Sequence, residues 1–142
     1  MTRIDFYILE DEYIDAAYRF ACKLCLKAIG SGTFTHLHLN DEDAVETLDE
    51  LMWGYPNGRF LPHDKEPSEP SRSPVHLSCK EPLLGEGLLI NLANEIPPFF
   101  GRFDRVAEII VNTQVQIGRN RYKFYRERGY PLKHHQLKQW EN

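Results

Sequence analysis

The spacing of apolar residues along this chain changes repeatedly between the period of a strand and the period of a helix. Residues Arg3–Leu9 alternate and are rich in Ile, Phe and Tyr, which predicts a strand. Asp11–Ile29 follows with helical spacing, and Gly30-Ser31-Gly32 supplies the glycine expected at a helix carboxyl terminus. Strands that alternate with helices in this way fold into a sheet whose strands run mostly parallel.

The same alternation continues through most of the chain. Thr33–Leu39 predicts a second strand, and Asn40 is the expected N-cap of a second helix that buries Ala44, Val45, Leu48, Leu51 and Met52. His63–Pro74, rich in Pro, Ser and charge, predicts a surface loop. Further strands are predicted at Pro74–Cys79, Gly87–Ala93 and Arg105–Val111, and a last helix at Thr113–Gly129. We therefore predict an α/β fold, with a mostly parallel central sheet covered by helices on both faces, in a single domain spanning residues 1–142.

Charge is unevenly distributed over the chain, whose formal net charge at pH 7 is −4. Acidic clusters occupy the first half, whereas the last third is rich in Lys and Arg. This arrangement favours an acidic partner on the C-terminal face and argues against attraction of nucleic acid by the molecule as a whole. Three cysteines, an odd number, are typical of a reducing compartment. Without a signal-peptide pattern or an apolar run that could cross a bilayer, we expect a cytoplasmic location.

Motifs that would mark a catalytic or cofactor site are missing from the sequence, which has no GxSxG, no GxGxxG and no Gly-rich phosphate loop. Cys22 and Cys25 form a CxxC pair, but they fall on the apolar face of the first predicted helix, where core packing is expected. His36 and His38 share one face of a strand, and no Cys or carboxylate pattern completes a metal site with them. We expect a binding protein without catalytic residues, cofactor or metal.

Aromatic residues surround the turn that follows the second predicted helix. Trp53, Tyr55 and Phe60 lie within eight residues of one another, and Pro62 restricts the backbone after them. The rings could close the end of the helix onto the sheet. They could equally form an exposed patch, because aromatic side chains supply large contact areas at protein interfaces. The residues themselves leave both interpretations open.

The last predicted helix carries a basic stripe with an aromatic ring inside it. Arg119, Tyr122, Lys123 and Arg126 fall at positions i, i+3, i+4 and i+7, and therefore on one side of the helix. Ile117, Phe124 and Tyr125 are expected to face the core, with Arg121 and Arg128 extending past it. Cations beside an aromatic surface can hold an acidic peptide that also buries an apolar side chain, or a nucleic-acid backbone with a stacked base.

An ordered set of short motifs resembles the chi subunit family of bacterial DNA polymerase III over nearly the whole chain. The set comprises Phe6-Tyr7-x-Leu9, Cys22 ten residues before Gly32, Leu48-Asp49-Glu50-x-Met52-Trp53, Phe60-x-Pro62-His63, Pro74-Val75, Leu89-x-Asn91-Leu92, Phe103-x-Arg105-Val106, Arg119-x-Arg121-Tyr122-Lys123-x-Tyr125-Arg126 and Gly129. The resemblance implies a nucleotide-binding-like α/β topology without a nucleotide site, and a non-catalytic accessory role in the clamp-loader complex.

The resemblance also implies two partners. Family members link the clamp loader, through the psi subunit, to the single-stranded DNA-binding protein that coats the lagging-strand template. Carried over position by position, the acidic C-terminal tail of that protein is expected at Arg119, Tyr122 and Lys123, with Arg126 in the site or at its electrostatic rim. The psi-facing surface is expected to include Phe60, with Trp53 and Pro62 close in sequence.

Two other hypotheses remain beside this one. The basic stripe could bind single-stranded nucleic acid directly, which the negative net charge disfavours because such proteins present a wider basic groove. An enzyme of the doubly wound α/β type ranks last, since no phosphate loop or catalytic constellation supports it.

Overall fold

A computed structural model describes residues 1–56, 58–65, 73–82 and 85–141. In chain order its elements are β1 (Arg3–Leu9), α1 (Ile14–Gly30), β2 (Thr35–His38), α2 (Glu42–Met52), β3 (Asp64–Lys65), β4 (Val75–Ser78), β5 (Leu88–Asn91), β6 (Arg105–Ile110), α3 (Val115–Glu127) and β7 (Leu132–Leu137). All seven strands join one sheet in the order β3-β4-β2-β5-β6-β1-β7, and every pairing is parallel. The α/β prediction is confirmed, and the sheet is parallel throughout. Within these residue ranges, no helix is long and apolar enough to cross a membrane.

The sheet has a hydrophobic core on each face, because successive residues of a strand point to opposite sides. α1 and α2 pack on one face, in a core that contains Leu37 and Ile90. α3 and the short 3-10 turn Phe100–Arg102 cover the other face, with Leu89 in the core. β6 contributes to both cores, with Ala107, Ile109, Val106 and Ile110 alternating between them. The predicted covering of both faces is therefore confirmed.

The start of α2 differs by one residue from the prediction. The N-cap is Asp41, whose carboxylate accepts a 2.8 Å hydrogen bond from the backbone N–H of Ala44. Asn40 instead accepts a 2.7 Å hydrogen bond from the backbone N–H of Asn94, which follows β5. The Asn40 side chain thus joins two loops at the carboxyl edge of the sheet. α3 begins two residues later than predicted, because Asn112–Gln114 forms a separate 3-10 turn.

Two strands were not predicted. Within the predicted loop His63–Pro74, Asp64–Lys65 forms β3 and pairs with β4, whereas residues 66–72 lie outside the described ranges. Leu132–Leu137 forms β7 at the sheet edge and pairs with β1 in parallel register. His134 and His135 therefore lie within the sheet. Only one side of an edge strand needs a partner, so a polar segment can fill this position.

The crevice between the carboxyl ends of β1 and β6 is a topological switch point, where α/β folds of this type bind nucleotides. β1 leads to α1 on one face, and β6 leads to α3 on the other. Here the backbone N–H of Asn112 donates to the carbonyl of Asp11 at 2.8 Å, and the Thr113 hydroxyl donates to the carbonyl of Glu12 at 2.9 Å. The two connections are therefore bonded to each other across the crevice, beside acidic side chains that would repel a phosphate.

Candidate protein interaction surfaces

An apolar groove of about 300 Å³, here called the α3 groove, lies between α3 and the strands β1 and β7. Its lining includes Phe6 and Ile8 from β1, Ile110 at the end of β6, and His134 and Gln136 from β7, with Val115, Gly118, Arg119 and Tyr122 from α3. The ring of Tyr122 packs on Phe6 with 5.5 Å between ring centroids, and is half-buried. Tyr122 is therefore a wall of the groove, held in place by the sheet.

The predicted basic stripe runs along this side of α3. Arg119 lines the α3 groove, whereas Lys123 and Arg126 continue the same side of the helix, one and two turns further on. Lys123 is 67% exposed, and its Nζ lies 3.9 Å from Oε1 of the exposed Glu127. A pair at that distance and exposure contributes at most a few tenths of a kcal/mol, so Lys123 is available to another anion. The structure thus brings Arg119 and Tyr122 together at the groove and places two further cations beside it.

Arg121 does not extend past the core, and this prediction was wrong. Its side chain is buried and its Nη1 lies 2.7 Å from Oε1 of Glu108, a fully buried residue of β6. The Tyr125 hydroxyl donates to the other Glu108 oxygen at 2.7 Å, and Asn91 Nδ2 donates to the same carboxylate at 3.1 Å. Arg121 also donates to the carbonyl of Ala93 at 2.7 Å. This buried network, here called the Glu108 network, fastens α3 to β5 and β6.

Burial dominates the electrostatics of this network. It raises the pKa of Glu108 above its usual value, while Arg121, Tyr125 and Asn91 act in the opposite direction. Burial also raises the pKa of Tyr125, with the neighbouring carboxylate as a further cause. The Tyr125 hydroxyl therefore remains a hydrogen-bond donor. An unpaired charge at such a depth would cost several kcal/mol, so each partner depends on the others.

The three other residues predicted to face the core, Ile117, Phe124 and Tyr125, differ from one another in burial. Tyr125 is fully buried, as predicted, whereas Ile117 and Phe124 are half-buried on the side of α3 away from the α3 groove. They line a shallower depression of about 390 Å³ together with Asn94, Glu95 and Ile96. The exposed Arg128 guanidinium lies over the Phe124 ring at 3.7 Å from its centroid. Arg128 thus points away from the stripe of Arg119.

A second surface is aromatic and lies after the carboxyl end of α2. Trp53 is 63% exposed and Phe60 is 48% exposed, and their ring centroids are 4.7 Å apart. His63 packs beside Phe60 at 5.6 Å and hydrogen-bonds to Asp49 at 2.6 Å. Pro62 is exposed next to the rings, whereas Leu61 is fully buried and anchors the turn. We call the exposed pair Trp53 and Phe60 the aromatic platform. The exposure of both rings favours the interpretation as an exposed patch over closure of the helix end onto the sheet, since neither ring belongs to the core.

Tyr55 of the same turn has a structural contact instead. Its hydroxyl donates to the Glu141 carboxylate, which also accepts a hydrogen bond from Arg19 of α1. The neighbouring Trp140 packs on Phe20, and its Nε1 donates to Asp11 at 2.8 Å. The segment after β7 therefore crosses α1 and reaches the turn that carries the aromatic platform.

The cysteines and histidines that could have marked chemistry are packed in the interior. Cys22 and Cys25 lie on the buried side of α1, within the core, and burial raises the pKa of the Cys22 thiol to about 12. Burial lowers the pKa of His36 to about 3, with repulsion from His38 and His76 as further causes. Among the described residues, no three His, Cys, Asp or Glu side chains come close enough together to hold a metal ion.

Comparison with known proteins identifies the family to which this chain belongs. A family model described as DNA polymerase III chi subunit, HolC, matches residues 1–133. A DNA polymerase III subunit chi from Pseudomonas aeruginosa PAO1 is 39% identical over 140 residues, covering 96% of this chain and 98% of that protein. Proteins of the same name from Haemophilus influenzae Rd (29% identical, 89% of this chain and 92% of theirs) and Escherichia coli K12 (26%, 93% and 96%) are also similar. The chain therefore belongs to the chi subunit family of DNA polymerase III.

Proposed function

We propose that this chain is a non-catalytic adaptor of DNA replication that joins two partners in the cytoplasm. Through the α3 groove and its cations it binds the acidic C-terminal tail of single-stranded DNA-binding protein. Through the aromatic platform it binds the psi subunit, and with it the clamp loader. No step of phosphoryl transfer is assigned to the chain itself.

The observation that carries this proposal is an apolar groove with a row of cations beside it. The family resemblance implies that this tail ends in Pro-Phe, so that it presents an aromatic ring, a terminal carboxylate and further carboxylates. The ring fits an apolar groove of this size, which buries surface from water. Arg119 stands where it can pair with the terminal carboxylate, and Lys123 and Arg126 with the acidic residues before it.

Direct binding of single-stranded nucleic acid by the same helix has less support. Proteins of that kind offer aromatic faces on which bases can stack. The face of Tyr122 is partly covered by Phe6, and Phe124 is covered by Arg128. The cations also form one row along a helix rather than a wide groove. A peptide with a single terminal ring matches this geometry better than a polymer of bases.

The tail site can be tested by titrating a fluorescently labelled peptide of the tail and following its anisotropy. Arg119→Ala and Lys123→Ala are each expected to weaken binding, Arg119→Ala by about tenfold or more, because it removes a charge-assisted contact at the groove. Affinity for the unmodified chain should fall as ionic strength rises, since exposed ion pairs are screened.

Arg128→Ala is the matched control, because it removes the same charge from the same helix on the side away from the groove. A peptide without its terminal Phe should lose most of its affinity even for the unmodified chain. Equal affinity of all three variants for the tail would refute the site. Binding of short single strands in a gel shift, without tail binding, would instead support direct recognition of nucleic acid.

A further inference from the structure

The surface next to the aromatic platform is acidic along the whole exposed side of α2. Asp43, Glu46 and Glu50 recur at spacings of three and four residues and are exposed. Trp53 follows Glu50 by three residues, so it lies on the same side of the helix, in line with them. The platform is thus one end of a continuous strip in which carboxylates lead up to two exposed rings.

The carboxylates at the end of α2 are placed against the helix dipole. The carboxyl end of a helix carries a partial negative charge, which favours Lys or Arg in the last turn. α2, all of whose residues are described, has no basic residue there, and instead has Asp49 and Glu50. Negative charge is therefore concentrated where the helix meets the platform. A local arrangement that costs stability in the isolated protein is typical of a functional surface.

A cation from the chain itself already uses part of this negative field. Lys65 of β3 lies 2.8 Å from Glu46 and 3.7 Å from Asp49. The hydrogen bond to Glu46 raises the pKa of Lys65, with the Asp49 charge adding to the effect. Glu50, next to Trp53, remains exposed on the other side of the strip. The geometry shows that this helix end attracts and holds a positive side chain.

We propose that the platform is specific for a basic apolar segment: a partner segment that places an aliphatic or aromatic side chain against Trp53 and Phe60, with Lys or Arg beside it to pair with Glu50. This inference rests on the proposed function and states the chemistry of the psi segment that binds. The rings provide the apolar area that is buried on binding. The carboxylates raise the rate of association with a basic segment and repel an acidic one.

The test compares Glu50→Lys with Trp53→Ala in titrations of the full chain with the psi subunit of the same organism, at low and at high ionic strength. Glu50→Lys is expected to weaken binding about three- to tenfold at low ionic strength, mainly through slower association, and to flatten the dependence on salt. The same variant should not lower the melting temperature, because a cation at this helix end complements the dipole. Glu12→Lys, an equal charge change at an exposed residue far along the chain from the platform, should leave psi affinity unchanged.

The outcomes separate this inference from the proposed function. Loss of binding in Trp53→Ala, with unchanged affinity and salt dependence in Glu50→Lys, would overturn the basic-segment inference and leave the psi surface in place. Unchanged affinity in Trp53→Ala would overturn the psi surface and the inference with it. Equal weakening by Glu12→Lys and Glu50→Lys would also overturn the inference, since it would show an effect of net charge rather than of this strip.

Discussion

At the scale of single residues, two charged side chains of this molecule lie in its interior. Glu108 lies among apolar residues of β6, and Arg121 reaches it from α3. Helical spacing places Arg121 on the side of α3 opposite Arg119, but it does not show whether a cation there reaches past the core or stays inside it. The signal that would have helped is the acidic residue inside an apolar strand, since a buried carboxylate requires a partner.

His36 gives a residue-scale prediction about pH. Its ring stacks on Phe103 at 5.9 Å, and neither ring nitrogen has a hydrogen-bond partner among the described residues. The native state keeps this ring neutral down to a pKa of about 3, whereas the unfolded chain protonates it near its ordinary value of 6.5. The unfolded state therefore binds more protons between these values, and the free energy of unfolding falls with acidity by up to about 1.4 kcal/mol per pH unit from this group.

Denaturant titrations at pH values between about 7.5 and about 4.5 measure this slope. Over this range the His36 ring of the unfolded chain takes up about one proton. His36→Phe keeps a ring against Phe103 and removes the titration, so its unfolding free energy should depend less on pH. Part of the slope should persist, because burial also lowers the pKa of His38. Parallel curves for the two proteins would rule out His36 as a source of acid sensitivity.

At the scale of elements, α3 is positioned more by the Glu108 network than by stabilising features within the helix itself. α3 has no side-chain N-cap, and its N-terminal half is mostly exposed. Arg121 and Tyr125 connect it to β5 and β6 at two consecutive turns. The α3 groove exists only when the helix stands at this height above β1 and β7. The Glu108 network and the α3 groove are therefore coupled through the placement of one helix.

This coupling predicts the behaviour of variants in the network. Glu108→Gln leaves the buried Arg121 guanidinium without its carboxylate and should lower the free energy of unfolding by about 3–5 kcal/mol. Tyr125→Phe removes one hydrogen bond to a charged acceptor and should cost about 1.5–3 kcal/mol. Urea titration measures both, and hydrogen exchange should show faster opening of α3 in each.

The double variant Glu108→Leu with Arg121→Met is the control for this prediction. It removes both charges and fills the site with apolar atoms, so it should be more stable than Glu108→Gln alone. If the double variant were the less stable of the two, the network would owe its strength to the ion pair and the hydrogen bonds from Tyr125 and Asn91 to Glu108, rather than to the avoidance of an unpaired buried charge.

Most elements were predictable because their apolar periodicity is strong. β1, β5, β6 and α1 were found with ends correct to within a few residues, since each buries one face or both. β7 was missed because Leu132–Leu137 is polar and half-buried, and β3 because two residues are too few for any period. The α3 groove could not be predicted for the same reason, as β7 forms one of its walls. Helical spacing placed Arg119 and Tyr122 on one side of the helix, but the groove beside them forms only in the folded sheet.

At the scale of the whole molecule, the two surfaces differ in position and in charge. The α3 groove lies on one face of the sheet near β1 and β7, whereas the aromatic platform follows α2, which packs on the other face and leads to β3 at the opposite edge. The first surface is basic and the second is acidic. The two surfaces therefore share no residue, and the partners proposed for them would not compete for the same side chains.

This separation predicts that the two partners bind independently. The affinity for the tail peptide should change by less than about twofold when the chain is saturated with psi, because distant sites without shared contacts couple by less than about 0.5 kcal/mol. Anisotropy titrations with and without psi measure the coupling. A change of fivefold or more would show communication between the surfaces, and the segment Trp140–Glu141 that joins β7 to Tyr55 would be its most direct route.

The hydrogen bonds from Asn112 and Thr113 across the crevice between β1 and β6 have a consequence for timing. In many proteins of this architecture, a nucleotide in that crevice acts as a switch, and its hydrolysis determines when partners are bound or released. Here the two connections are hydrogen-bonded to each other across the crevice, beside the acidic side chains of Asp11 and Glu12, which disfavours a nucleotide as a switch of this kind. For the proposed adaptor, the order of binding events would then be set by the arrival and departure of its partners.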